Sequence, residues 1–181
     1  MRAVLDACVL YPTVMREMLL GVAGQGLFTP LWSPRLLEEW ARAAAKAGPL
    51  VEAQARGEIA LTRAAWPEAE IILPAEAERR FWLPDPADVH VLAAAVRGSA
   101  DAIVTMNARD FPRNILAEEG LSRADPDSFL LGFHAASPEL VGAVADRVLA
   151  TAQQMSGEEW TIRKLLRKAR LPRLGKALER G

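Results

Sequence analysis

The most constraining feature is a helix that starts in an acidic loop and feeds, through a short turn, into an apolar strand. Pro84-Asp85-Pro86-Ala87-Asp88 is bracketed by prolines and runs directly into Val89-His90-Val91-Leu92-Ala93-Ala94-Ala95-Val96. Ala87 to Val96 is strongly helix-forming and Pro86 suits a helix start, so Asp88 is expected at the N-cap or in the first turn. There the positive end of the helix dipole favours the ionised carboxylate. The alanine run lets this helix lie close against a sheet. Gly98 ends it, and Ala102-Ile103-Val104-Thr105 reads as a strand. Another short apolar run, Ala3-Val4-Leu5, ends in Asp6 and reads as the first buried strand. Strand, helix and strand in this order predict parallel pairing and an α/β sheet with helices on both faces. Ligands bind such sheets beyond the carboxyl ends of the strands, where Asp6 and the loop from Thr105 to Asp110 would emerge together.

The remaining elements follow from periodicity and punctuation. Thr13 to Gly24 has helical spacing, and Leu27 to Trp32 can be extended. Ser33-Pro34 starts a helix running to about Ala47, and Leu50 to Ala65 forms the next. Ile71 to Leu73 reads as a strand and Ala75 to Arg80 as a short helix. Beyond Asp110-Phe111-Pro112 the chain is irregular to about Asp125, with an edge strand near Gly120 to Arg123. Helices are predicted over 127–134, 137–155, 158–170 and 172–179, with no strand after Arg123. The expected organisation is an α/β domain over 1–125 and an all-helical extension over 126–181.

Composition excludes several classes. About half the residues are apolar and a quarter charged, enough for a true core, and the net charge of −1 does not mark the whole molecule as a polyanion binder. The single cysteine, Cys8, excludes an internal disulfide framework and a multi-cysteine zinc site. With no signal-peptide apolar region and no run of membrane-spanning length, a cytoplasmic protein with no membrane partner is expected. Charge is unevenly spread. Arg163, Lys164, Arg167, Lys168, Arg170, Arg173, Lys176 and Arg180 face only Glu179 from Arg163 onward, and the body before this tail is correspondingly acidic. The tail reads either as a solvated amphipathic helix or as a source of phosphate contacts.

Four acids sit at element boundaries beside apolar runs: Asp6, Glu39, Asp88 and Asp110. Each alone is an ordinary cap or surface charge. Gathered at one sheet edge, they would repel and raise one another's pKa, a conflict that a hard divalent cation such as Mg²⁺ or Mn²⁺ removes. That points to metal-dependent phosphoryl chemistry.

The quoted pieces carry a family resemblance. Val4-Leu5-Asp6 with Val9-Leu10, then Ser33-Pro34-Arg35-Leu36-Leu37-Glu38-Glu39-Trp40, Asp88 to Ala95, and Ile103 to Phe111 occur in the order found in PIN-domain proteins. The resemblance covers about Ala3 to Phe111 and extends to the ribonuclease toxins of bacterial type II toxin–antitoxin pairs. It implies a three-layer α/β/α sandwich with a central parallel sheet and an acidic pocket for Mg²⁺ or Mn²⁺. It also implies cleavage of RNA, inhibition by a cognate antitoxin, and a homodimer. Carried onto this chain, Asp6, Glu39, Asp88 and Asp110 become the catalytic, metal-holding carboxylates. Asn107 and Thr105 become supporting residues, and Asp85 either joins the pocket or begins the turn at Pro86. The resemblance favours Glu39 over Glu38, because the family's Glu is followed by an apolar residue, here Trp40.

The sequence departs from the family where a small hydroxyl residue and then Asn often follow the first Asp. Ala7 and Cys8 stand there instead, which leaves open a catalytically weak PIN-like binding or scaffold module. An aspartyl-phosphate phosphatase is disfavoured, because no second Asp stands two positions after Asp6. His90 reads as a satisfied, partly buried histidine, His134 as structural and Cys8 as a small buried hydrophobe.

Overall fold

Ala3, Val4, Leu5 and Ala102, Ile103, Val104 are fully buried, as expected of central parallel strands covered on both faces. In the computed structural model, which describes residues 1–179, they form β1 (Arg2–Leu5) and the third strand of a four-stranded sheet. Arg180, counted in the basic tail, lies outside the described residues. The chain order is β1, α1 (Ala7–Leu10), α2 (Thr13–Gly24), β2 (Thr29–Leu31), α3 (Pro34–Ala45) and α4 (Pro49–Ala65). A 3₁₀ turn (Pro86–Asp88), α5 (Val89–Arg97), β3 (Ala102–Val104), α6 (Arg113–Glu118) and β4 (Ser122–Ala124) follow. The last four elements are α7 (Pro126–Ala136), α8 (Pro138–Ser156), α9 (Ile162–Lys168) and α10 (Pro172–Leu178). No strand follows β4 among the described residues.

All pairings are parallel in the order β2-β1-β3-β4, with Val4 opposite both Leu31 and Ile103. The chain therefore reverses direction across the sheet between β1 and β3. The carboxyl ends of those two strands meet there, Asp6 N–H donating to the Val104 carbonyl at 3.1 Å. With helices flanking the sheet, the architecture is the α/β/α fold that strand, helix and strand predict.

The described residues form two compact units: Met1–Tyr11 with Thr29–Ala124, and Pro12–Phe28 with the described residues from Asp125 onward. Segment 12–28 thus groups with the later helices, an association that periodicity cannot reveal. Three local expectations fail. Residues 71–73 are not a strand: pairing stops at an isolated bridge, Trp32 to Glu70, and Pro74 supplies no amide to extend it. Residues 75–80 make successive turns, with Ala77, Arg79 and Phe81 N–H bonding three residues back, not an α-helix. The helix expected from Glu158 begins at Ile162, because Thr161 Oγ1 accepts the Lys164 amide at 3.3 Å and sets the N-cap there. Short helices α1 and α6 fall below the length at which periodicity is readable.

In the second unit Met15, Met18, Leu19 and Val22 of α2 are buried. Phe28, Phe129 and Phe133 form an aromatic cluster with ring centroids 5.0–5.6 Å apart. Gly21 lets α2 approach α8 closely, since a β-carbon there would stand 2.5 Å from Val144 Cγ1. Leu165, Leu166, Leu171 and Leu174 bury the apolar faces of α9 and α10.

Candidate metal centre

Asp6 follows β1, and only 8% of its surface is exposed. Its backbone is extended and its side chain makes no cap bond to α1. Instead Oδ2 accepts from Thr105 Oγ1 at 2.6 Å and from Cys8 Sγ at 3.1 Å. Thr105 Oγ1 in turn accepts the Asn107 amide at 2.9 Å, and Cys8 Sγ accepts the Met106 amide at 3.3 Å. Burial, then the Asp6 charge, pushes the Cys8 thiol up to about 12, so it stays protonated and able to donate. Cys8 is therefore a polar support of Asp6, not the plain buried hydrophobe that its apolar neighbours suggest.

Asp88 closes the 3₁₀ turn and stands at the N-cap of α5 without a side-chain cap bond. Its Oδ2 is buried and has no hydrogen-bond partner. Asp85 Oδ1 caps the turn by accepting the Ala87 amide at 2.9 Å. Asp110 accepts from Asn107 Nδ2, and Arg123 on β4 pins the loop by donating to the Ala108 and Phe111 carbonyls. One carboxylate oxygen each from Asp85, Asp88 and Asp110 lies within 4.8 Å of the others. Asp85 begins the turn at Pro86 and also offers an oxygen to this cluster.

The Asp88 carboxyl is pushed up to about 6, first by burial and then by the charges of Asp6, Asp110 and Asp85, with His90 acting against the shift. The helix dipole favours the ionised form, as it should at the head of α5. Desolvation and three like charges outweigh it.

Glu39 on α3 is not one of the three clustered oxygens among the described residues. It is held from two sides. His90 Nε2 lies 2.9 Å from Glu39 Oε1, off the line a hydrogen bond needs, and Arg35 Nε approaches at 3.4 Å. His90 is fully buried and both ring nitrogens lack a hydrogen-bond partner, so it is neither satisfied nor partly exposed as its sequence context suggests. Arg35 also donates to the Ala87 carbonyl at 3.0 Å and to Glu78 at 3.3 Å, tying α3 to the peptide just before Asp88. Glu38 points elsewhere, paired with Arg56 at 3.0 Å. The i, i+4 spacing of Arg35 and Glu39 is a readable sign of their pairing; nothing in the sequence marks Arg123.

A guanidinium can satisfy several acceptors in fixed directions, whereas an ammonium cannot. Arg35→Lys and Arg35→Ala should both lower divalent-ion affinity and any cleavage rate by about tenfold or more, as loss of an outer support does. Isothermal titration with Mn²⁺ reads the first and timed cleavage the second.

The donor set fits a hard divalent ion. All the clustered donors are carboxylate oxygens, Asp88 among them has a buried oxygen without a partner, and burial with mutual repulsion raises its pKa. Fold and site together define an α/β protein whose acidic cluster lies where the strand order reverses, at the carboxyl edge of a parallel sheet. The PIN-domain family profile matches residues 2–109. The chain belongs to the PIN-domain family. It is also 50% identical over 44 residues to a Mycobacterium tuberculosis protein named "Putative ribonuclease VapC50". That match takes in 24% of this chain and 26% of the relative. Comparison with solved structures finds no significant match.

Proposed function

We propose that this protein is a Mg²⁺- or Mn²⁺-dependent endoribonuclease, the toxin of a type II toxin–antitoxin pair. The observation that carries the reading is the cluster of Asp85, Asp88 and Asp110, in which Asp88 has a buried oxygen, Oδ2, without a partner. Family membership and the short likeness to a protein named as a VapC ribonuclease support the substrate class. In this reading Asp6, Asp88 and Asp110 hold the ion, Asp85 assists, and Glu39 supplies the remaining carboxylate from α3. The nuclease site lies in the domain over 1–125, with 126–181 as the helical extension.

A bound Mg²⁺ or Mn²⁺ would neutralise the carboxylates and supply a Lewis acid for phosphodiester hydrolysis. The protein's own part is positioning. Thr105 and Cys8 donate to Asp6 and fix which of its oxygens faces the pocket. Asn107 orients Asp110, and Arg123 fixes the loop that carries both. Asp88, whose carboxyl is pushed up to about 6 by burial and neighbouring acids in the metal-free chain, is still ionised at neutral pH and so able to hold the cation.

A cognate antitoxin, a homodimer and a cytoplasmic setting belong to the same reading. No helix among the described residues is long and apolar enough to cross a membrane. Purified protein should cut labelled single-stranded or structured RNA in Mn²⁺, and EDTA should stop it. Tight Mn²⁺ binding without cutting of either RNA would contradict the ribonuclease reading and favour a binding module.

A further inference from the structure

We propose that the outer face of α9 and the segment after it form an RNA-backbone binding surface, separate in its residues from the carboxylate cluster. The choice of RNA over another polyanion rests on the ribonuclease reading above.

The packing settles which side of these helices is free. Leu165 and Leu166 turn inward, and with Leu171 and Leu174 they are buried. Arg163, Lys164, Arg167 and Lys168 are all exposed. Their spacing stacks Arg163 on Arg167 and Lys164 on Lys168, like charges at i, i+4 that weaken an isolated helix. Arg163 and Lys164 also occupy its first turn, where the dipole disfavours cations. Exposed helices in the first unit do the opposite: Arg56 pairs with Glu52 and Glu38, and Arg35 with Glu39. Here Arg163 meets Glu179 at 2.6 Å. Among the described residues no ion pair is recorded for Lys164, Arg167, Arg170 or Lys176. Glu158 and Glu159 precede the helix in sequence without pairing to these four.

Arg170 adds an independent sign. Its φ is +61°, the left-handed position after a helix that glycine ordinarily fills. The chain keeps a long cation there against backbone preference. Beside these charges Lys168 Nζ lies over the half-buried Trp160 ring, 4.8 Å from its centroid, so an aromatic side chain adjoins the cations. An anionic membrane is a poor fit, because the leucines that would insert are already buried. Single-stranded RNA matches the combination of unpaired cations and an adjacent ring.

The test is fluorescence anisotropy of a labelled single-stranded RNA of mixed sequence with the full chain in EDTA. Without metal, loss of binding is read independently of cleavage. A Lys164→Gln, Arg167→Gln, Lys168→Gln triple variant should bind about tenfold more weakly at moderate salt, and its log–log salt slope should be shallower by about 2. Arg170→Gly should raise the melting temperature yet weaken RNA binding about twofold, so that lost affinity cannot be attributed to a damaged fold. Wild-type affinity and slope in both variants would overturn the proposal. So would unchanged RNA binding together with polyglutamate binding that the triple variant loses, which would assign the surface to an acidic protein.

Discussion

Asp88→Asn should remove divalent-ion binding and reduce cleavage by at least about a thousandfold, while making the metal-free protein more stable. The two effects have one cause. The Asp88 carboxyl is pushed up to about 6 by burial and by Asp6, Asp110 and Asp85. A raised folded-state pKa means that the folded chain holds this proton more tightly than the unfolded chain does. Its contribution to stability is whole below an unfolded value of about 4 and is lost as pH rises through about 6. At pH 7 the ionised group is therefore a burden on the metal-free fold. Discounted for partial solvent screening, that burden is about 1–2 kcal/mol. A neutral amide relieves it, so the variant should melt roughly 2–6 °C higher at pH 7 and show little gain at pH 4. Saturating Mn²⁺ should reverse the order, stabilising wild type and leaving the variant unchanged. Differential scanning calorimetry at the two pH values, with and without Mn²⁺, reads all of this.

Asp127→Ala should be the most damaging change outside the acidic site, at about 2–4 kcal/mol. Asp127 is 5% exposed and lies in the first turn of α7. Its two oxygens accept the backbone amides of Arg173 and Leu174, each at 2.9 Å. These are first-turn amides of α10, which has no side-chain cap of its own. A carboxylate there replaces the missing cap and faces the positive end of the helix. Alanine leaves both donors unpaired, with Leu174 buried beside them. The unfolding midpoint should fall by roughly 5–15 °C, with Asn recovering part of the loss. Arg173→Ala should move it little, because the bond uses the Arg173 backbone. Equal melting of Asp127→Ala and wild type would show that α10 is held by its leucines alone.

Parts of this molecule were legible from sequence because they depend on local chemistry. Ala3 to Leu5 and Ala102 to Val104 are short apolar runs, and such runs become central parallel strands when a helix connects them. Asp6, Asp88 and Asp110 were readable as acids at boundaries, since chain order sends β1 and β3 out at one edge. Failures came where the decisive partner is distant. Ile71 to Leu73 has the composition of a strand, but extending the sheet needed more partner than one bridge at Trp32. His90 sits in an apolar helix, and only the fold brings Glu39 from α3 against it. Cys8 looks like a hydrophobe until Thr105, far along the chain, arrives beside it. Association of residues 12–28 with the later helices has no local signature, because an apolar helical face does not say what covers it.

The carboxylates at the β1–β3 edge are proposed to form one divalent-ion site. Titration of the full chain with Mn²⁺, followed by the loss of the free-ion paramagnetic resonance signal, tests it most directly. Wild type should show saturable binding that Asp88→Asn and Asp110→Asn each weaken at least about a hundredfold, and that Glu38→Gln leaves intact. Equal Mn²⁺ affinity in wild type and Asp88→Asn would contradict the account.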